Sequence, residues 1–387
     1  MRSRKRKSPL RHLIWILPLL VLDFYLFRWL ALRQGGCRPT PTPVPLVVPE
    51  VEEAAPPPVW QAMVPPTPQT NLLNPDEPGV LMATASGRLE SAKFGSTRTG
   101  KVGSRFVARF HEGVDIGPTE RDRRGVATDS IFAVAAGRVA FVNNSGGSST
   151  YGKYVVVEHE DPSLGLVERR DGSTEPAVVY TLYAHLADVR LLLRPGQTVA
   201  AGDLLGTMGT TSSIKSAIPS DRAHLHWEIG VMLHSRYDAQ SRELKLANQF
   251  GNYNGNNLFG FDPLDFYAAH VRDPGLTMAT YLASVPPAYE VLIRGRFPDY
   301  FRRFPGLWKG AAHDGGPMRL TVSESGAPLS GRNATPREID ILGNRRQAVL
   351  KVHPDVLGRN GRAFIAPSGG SWDFTPRGRQ WVDHLLY

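Results

Sequence analysis

The chain has 387 residues, 41% of them hydrophobic and 21% charged, with a formal charge of +9. That balance excludes a wholly disordered chain, and 32 prolines with 38 glycines argue for strands, turns and linkers over a helical bundle. The charge sits at the two ends: residues 1–36 hold eight Arg/Lys against one acid, residues 271–387 hold sixteen against ten, and the middle is net negative, so no basic stripe is left there to bind nucleic acid.

In chain order, the first element is "MRSRKRK" followed by an apolar run over residues 13–32. The run is about long enough to cross a bilayer. Asp23 and Arg28 interrupt it, at about 2.5–3.5 kcal/mol for a charge at mid-bilayer. Residues 1–36 are therefore predicted to be a cytoplasmic basic cap and an uncleaved anchor in the cytoplasmic membrane. The rest would lie outside the cytoplasm, in the cell envelope. Two alternatives stand beside the anchor. A cleaved signal peptide lacks a clear small-x-small site, and a lipoprotein would need Leu where Gln34 stands before Cys37. Cys37 is the sole cysteine, so no intrachain disulfide exists.

Residues 37–81 read as a proline-rich linker, since thirteen prolines between 38 and 78 favour extended polyproline II. Residues 82–270 change pattern. "IFAVAAGRVAFV", "KYVVVEHE", "AVVYTLYAHL" and "AHLHWEIG" are β-branched, partly alternating runs separated by Gly, Asn, Ser and Asp. They predict an all-β domain of antiparallel sheets, sandwich-like or barrel-like. Residues 271–387 read as a small α+β region of unknown role. "YEVLIRGRF" and "RQAVLKVH" are its strands, and "TPRGRQWVDHLLY" is a terminal helix with Thr375 as N-cap and Pro376 at its first position.

Most of the eleven histidines lack a partner motif, and His159 reads as a hydrogen-bonded structural residue at the end of a strand. Three segments differ. "FHEGVDIG" puts His111 four residues before Asp115, "LYAHLADV" puts His185 at the end of an apolar run, and "AHLHWEIG" supplies His224 and His226. Alternate strand residues share a face, so His224 and His226 point the same way, together with Glu228. They stand about 6.6 Å apart, which lets one imidazole bind a metal while the other faces a water. His111 and Asp115 would be about 13 Å apart on a straight strand, so they need a bend, and Gly113 would allow one through an unusual φ or a bulge.

Taken together and in order, these segments resemble the lysostaphin-type zinc metallopeptidases of bacterial cell walls. The match runs from "FGSTRTG" (94–100) through "FHEGVDIG", "YTLYAHL" and "LRPGQTVAAGDLLGTMG" to "AHLHWEIG", and "FDPLDFY" (261–267) is similar to the family's usual exit. The resemblance implies one Zn²⁺ per chain, with His111, Asp115 and His226 as ligands. It implies His185 and His224 as the two catalytic histidines, with their division of labour open. It also implies peptidoglycan peptides as substrate and hydrolysis of their cross-links. Three polar loops depart from the family pattern: 118–130, 168–177 and 210–223. All three are expected to rim the groove.

Two rivals stand beside this reading. One is a non-catalytic envelope scaffold or activator of other wall hydrolases, which the filled set of five site positions disfavours. The other is a lipoyl-like hairpin over "RPGQTVAAGDLLGTMG", which lacks an attachment lysine.

Overall fold

The β-branched runs pair into antiparallel sheets. A computed structural model describes residues 59–102, 105–214 and 218–387. Its strands, in chain order, are β1 (Thr97–Val102), β2 (Arg105–Phe110), β3 (Val114–Ile116), β4 (Ser130–Phe132), β5 (Gly137–Asn143), β6 (Lys153–Glu168), β7 (Thr174–Leu186), β8 (Asp188–Val189), β9 (Thr198–Val199), β10 (Leu204–Thr207), β11 (Leu225–Met232) and β12 (Leu258–Phe261). The main sheet runs β12-β11-β7-β6-β5-β9, with β3 also paired to β11. A second sheet runs β4-β10-β8, and β1-β2 form a separate hairpin. Ile131 of β4 and Leu205 of β10 lie in the same core as Val155 and Val157 of β6 and Tyr183 of β7, which ties the two sheets together.

β11 is the pivot. It is paired on both sides and all but its last residue is buried. A strand so enclosed must satisfy every polar side chain that it carries. The β3–β11 register sets Asp115 directly opposite His226, and the β7–β11 register sets Ala184 opposite the same histidine. Gly113 lets this approach happen. A Cβ there would sit 2.2 Å from the Trp227 carbonyl oxygen and 2.9 Å from Glu228 Cγ. Its φ is not in the left-handed region, so the need for glycine is close approach, and the expected unusual φ is not found.

The remaining strands are β13 (Tyr289–Ile293), β14 (Met318–Val322), β15 (Pro328–Asn333), β16 (Gln347–Val352), β17 (Ile365–Ser368) and β18 (Ser371–Phe374). β15-β14-β13-β16 form a four-stranded sheet and β17-β18 a hairpin. The helix Pro376–Leu385 closes the chain, with the Thr375 side chain accepting from the Gly378 backbone N–H, as the N-cap reading anticipates. This region is α+β, but it is not a loose appendage. Tyr289, Val291, Phe301 and Leu385 belong to the same buried core as Val114, Trp227 and Ile229. Asp161 of β6 accepts from both Trp60 Nε1 at 2.7 Å and the Met278 backbone N–H at 3.1 Å. Gly165, at φ 106°, brings the long β6–β7 hairpin against Pro305.

Residues 59–81, read as linker from sequence, lie on the body: Trp60 and Leu72 are buried in the core, and Leu81 bridges to Ile116. Among the described residues no helix is long and apolar enough to cross a membrane. The anchor expected over 13–32, and most of the linker, lie outside the described residues.

Candidate active site

His111 follows β2 and is held by its backbone, which donates to the Ser96 carbonyl and accepts from the Gly95 N–H, both at 3.0 Å. Its Nδ1 donates to the Lys93 carbonyl at 2.9 Å, so its Nε2 is the bare nitrogen. His226 is arranged the other way round. Its Nε2 donates to Glu228 Oε1 at 2.8 Å, leaving Nδ1 bare. The two bare nitrogens lie 3.0 Å apart, and Asp115 Oδ1 is 3.1 Å from the first and 3.0 Å from the second.

Three acceptors thus face one another in a buried triangle with edges near 3 Å. Such an arrangement is stable only around a cation or a shared proton. Zinc bonds of about 2.0–2.1 Å in a tetrahedron place ligand atoms about 3.3 Å apart, close to these edges. The charges agree. Burial disfavours ionisation of Asp115, but His111, His224 and Arg98 override it and hold the carboxyl well below its usual range. Burial also opposes charge on His226, but the Asp115 and Glu228 carboxylates push it up to about 9, so at neutral pH its Nδ1 holds the proton that the triangle shares until a cation takes that place. Burial pulls His111 down to about 4, so it keeps a lone pair at neutral pH.

His185 and His224 flank the triangle. Their rings meet edge to face with centroids 4.9 Å apart, and His224 Nε2 is 3.6 Å from Asp115 Oδ1. Each donates Nδ1–H to a backbone carbonyl: His185 to Thr211 at 2.9 Å and His224 to Arg222 at 2.8 Å. Each therefore keeps a bare Nε2. Burial lowers both pKa values, so both imidazoles are neutral and able to accept a proton. His185 also has φ 61°, a left-handed backbone for a β-strand residue, which is the kind of strain that persists where surrounding structure over-determines it. The structure thus brings all five residues singled out in the sequence into one cluster.

Residues 109–238 match the family model described as peptidase family M23. That third of the chain is similar to an M23 peptidase domain. Members of the family are typically zinc metallopeptidases acting on peptidoglycan, and some are inactive. A comparison with curated proteins finds no match. Among solved structures, a zinc-containing peptidase from Vibrio cholerae is 24% identical over 36% of this chain and 32% of that one, with a TM-score of 0.24. The catalytic domain of lysostaphin from Staphylococcus simulans is 20% identical over 46% of this chain and 89% of that one, with a TM-score of 0.26. The chain thus spans about a third of the length of the Vibrio cholerae structure.

Sequence reading did not assign roles to the shell around the M23 cluster. Glu228, fully buried, accepts from Tyr151 Oη at 2.7 Å and Tyr180 Oη at 3.0 Å as well as from His226. This chain of bonds fixes the His226 ring and tautomer, as carboxylates commonly do for metal-binding imidazoles. Arg98 of β1 donates to Asp115 Oδ2 at 2.5 Å, which leaves Oδ1 turned to the triangle. The only signal for Glu228 was its spacing two residues from His226. The tyrosines lie 48 and 77 residues away in sequence and gave none.

His159, by contrast, is structural as read. Its nitrogens bond the Ala136 carbonyl and Thr181 Oγ1, each at 2.8 Å. Loop 210–223 abuts the site: Thr211 holds His185, and Arg121 of loop 118–130 donates to the Ser220 and Asp221 carbonyls. The hairpin tip within 168–177 is a correction. It joins β6 to the start of β7, whereas His185 lies near the end of β7, about 36 Å of extended strand away. It does not rim the groove.

Proposed function

We propose that the chain is a zinc metalloendopeptidase that hydrolyses peptide cross-links of bacterial peptidoglycan. Its zinc, one per chain, is held by His111, Asp115 and His226, and His185 and His224 are the catalytic histidines. The observation that carries this reading is the triangle of three converging acceptors with two further bare imidazole nitrogens beside it. Two nitrogens and one carboxylate oxygen form a donor set that suits zinc, and three protein ligands leave a fourth position for water or substrate.

Zinc bound there supplies Lewis acidity, which acidifies water and polarises a carbonyl. The protein's own groups do the rest. The backbone carbonyls of Thr211 and Arg222 hold the His185 and His224 Nε2 lone pairs outward. One accepts the proton released by the attacking water and returns it to the departing amine. The other takes a proton from solvent at its bare Nε2 as negative charge builds beside it, and donates that N–H to the developing oxyanion. Glu228 keeps the His226 Nδ1 lone pair in place, and Arg98 does the same for Asp115 Oδ1.

The same reading makes residues 1–36 a membrane anchor that holds the catalytic body outside the cytoplasm, with residues 82–270 as the catalytic domain. The test uses a chain that begins no later than Val59, because Trp60 is part of the core. Purified wall sacculi are digested with it and the products read by mass spectrometry, alongside metal analysis of the protein. About one zinc per chain and release of cross-linked peptides as monomers are expected. Intact cross-links with stoichiometric zinc would instead favour a scaffold.

A further inference from the structure

A groove of about 690 Å³ lies beside the cluster, with Tyr151 and Glu112 on its wall. Tyr151 donates to Glu228, which accepts from His226, so the groove begins two hydrogen bonds from the triangle. Three arginines from separate elements also line it: Arg109 on β2, Arg362 ahead of β17, and Arg377 in the first turn of the helix Pro376–Leu385. The last two come from outside the family match.

Arg362 is committed elsewhere. It forms an ion pair with Glu112, donates Nε–H to the Ser325 carbonyl at 2.6 Å, and lies 4.7 Å from the Phe259 ring centroid. Glu112 is the one acid on the lining among the described residues, and that ion pair uses its charge. Arg109 has no ion pair among the described residues, and Arg377 makes only a 3.4 Å hydrogen bond to the Ala108 carbonyl. Both are exposed. Two guanidiniums therefore face a groove next to the cluster with no ion pair of their own among the described residues. Desolvation on the groove wall, with repulsion from Arg362 and Arg109, outweighs the pull of Glu112 and draws the Arg377 pKa below its ordinary value, a field that an anion would relieve.

We propose that Arg109 and Arg377 form a subsite for a free carboxylate of the substrate peptide, so that the C-terminal region selects acidic wall peptides over amidated ones. This rests on the peptidase reading and names the substrate chemistry that it leaves open. Guanidinium forks bind carboxylates through paired, charge-assisted hydrogen bonds, which a primary amide cannot match. The contact lies away from the reacting atoms, so it acts on binding more than on the chemical step.

The test is calorimetric. The chain carrying His224→Ala, which slows turnover about 10²–10⁴-fold, is titrated with a soluble cross-linked wall peptide bearing free carboxylates and with its amidated counterpart. The acid form is expected to bind about 10-fold more tightly. Arg109→Gln with Arg377→Gln should reduce that preference to about twofold and leave affinity for the amide unchanged. Equal affinity for the two peptides, or a preference untouched by the double substitution, overturns the subsite. So does a poly(glycerol phosphate) that binds as tightly as the acid peptide and loses affinity with the same substitutions, since the wall would then read phosphate. Cleavage of the two peptides by the unsubstituted chain is measured in parallel. Cleavage of neither removes the peptidase reading, while the binding comparison still decides the subsite.

Discussion

One hydrogen bond on His226, from Nε2 to Glu228, decides which of its nitrogens is available, and one bond to a backbone carbonyl does the same for His111, His185 and His224. The four imidazoles differ in where the bare nitrogen points. Those of His111 and His226 meet each other and Asp115, while those of His185 and His224 stand beside the triangle. His185→Ala and His224→Ala should therefore keep their zinc and lose about 10²–10⁴-fold in turnover. His226→Ala should lose the metal itself, and metal analysis of the purified variants separates the two classes. If His224→Ala loses zinc as His226→Ala does, the parity of the His-x-His pair is reversed. Glu228→Gln is the sharper probe of the shell, because it keeps the shape and removes the charge that His226 faces. Zinc affinity, read by competition with a chelator, should fall about 10–100-fold. An unchanged affinity would reduce Glu228 to a packing role. The five principal residues were legible in sequence through the order of their motifs and the family resemblance that this order carries, and the fold gathers them. Glu228 was legible only as a strand neighbour, since its meaning comes from tyrosines that the fold delivers from β7 and from the loop before β6.

Strands β3, β7 and β11 turn these separate motifs into one site. Register does the work: His226 opposes Asp115 on one side and Ala184 on the other, so a shift of one residue would turn the imidazole to the opposite face. The antiparallel β-rich reading anticipated such a sheet but not its order, because which runs pair depends on long-range closure. The same limit explains the loops. Three polar insertions look alike in sequence, yet strand direction sends one to the far end of β7 and leaves the others near His224. Replacing residues 169–173 by a two-residue turn should leave turnover and zinc content unchanged. Shortening 212–221 should leave zinc unchanged and alter which wall peptides are cut. Rates across a panel of peptides check both. Equal profiles for the two variants would show that position along the strand has no bearing on substrate choice.

Over the whole molecule, the sheets built from β1–β12 and residues 271–387 share one core and the half-buried Glu112–Arg362 ion pair. The sequence divides there, by the change from alternating strands to mixed elements after residue 270, but packing does not. Tyr289, Val291, Phe301 and Phe304 are buried in the core that also holds Trp227 and Ile229, and Arg303 donates to the Met232 carbonyl at the end of β11. Arg362 reaches back to Glu112, the neighbour of His111, and Asp161 caps the N-terminus of Met278–Ser284. Nothing in local periodicity reports such contacts, since each is a meeting of surfaces far apart in the chain. A chain ending at residue 270 would leave this apolar face in water and strand Glu112 without its partner. Burial pushes the Glu112 carboxyl up to about 8 even beside Arg362, so the larger loss is the apolar face: each large side chain returned to water costs about 1.5–3 kcal/mol, against the 5–15 kcal/mol that a domain holds in total. The truncated chain is therefore expected to lose cooperative unfolding and zinc together. Residues 59–387 should melt in a single transition, and Arg362→Ala alone should lower its stability by about 1–3 kcal/mol in denaturant titration, the worth of its hydrogen bonds to Glu112 and the Ser325 carbonyl. A truncated chain that melts cooperatively with one zinc bound would show instead that the M23 domain folds alone and that the C-terminal region is added to a finished core.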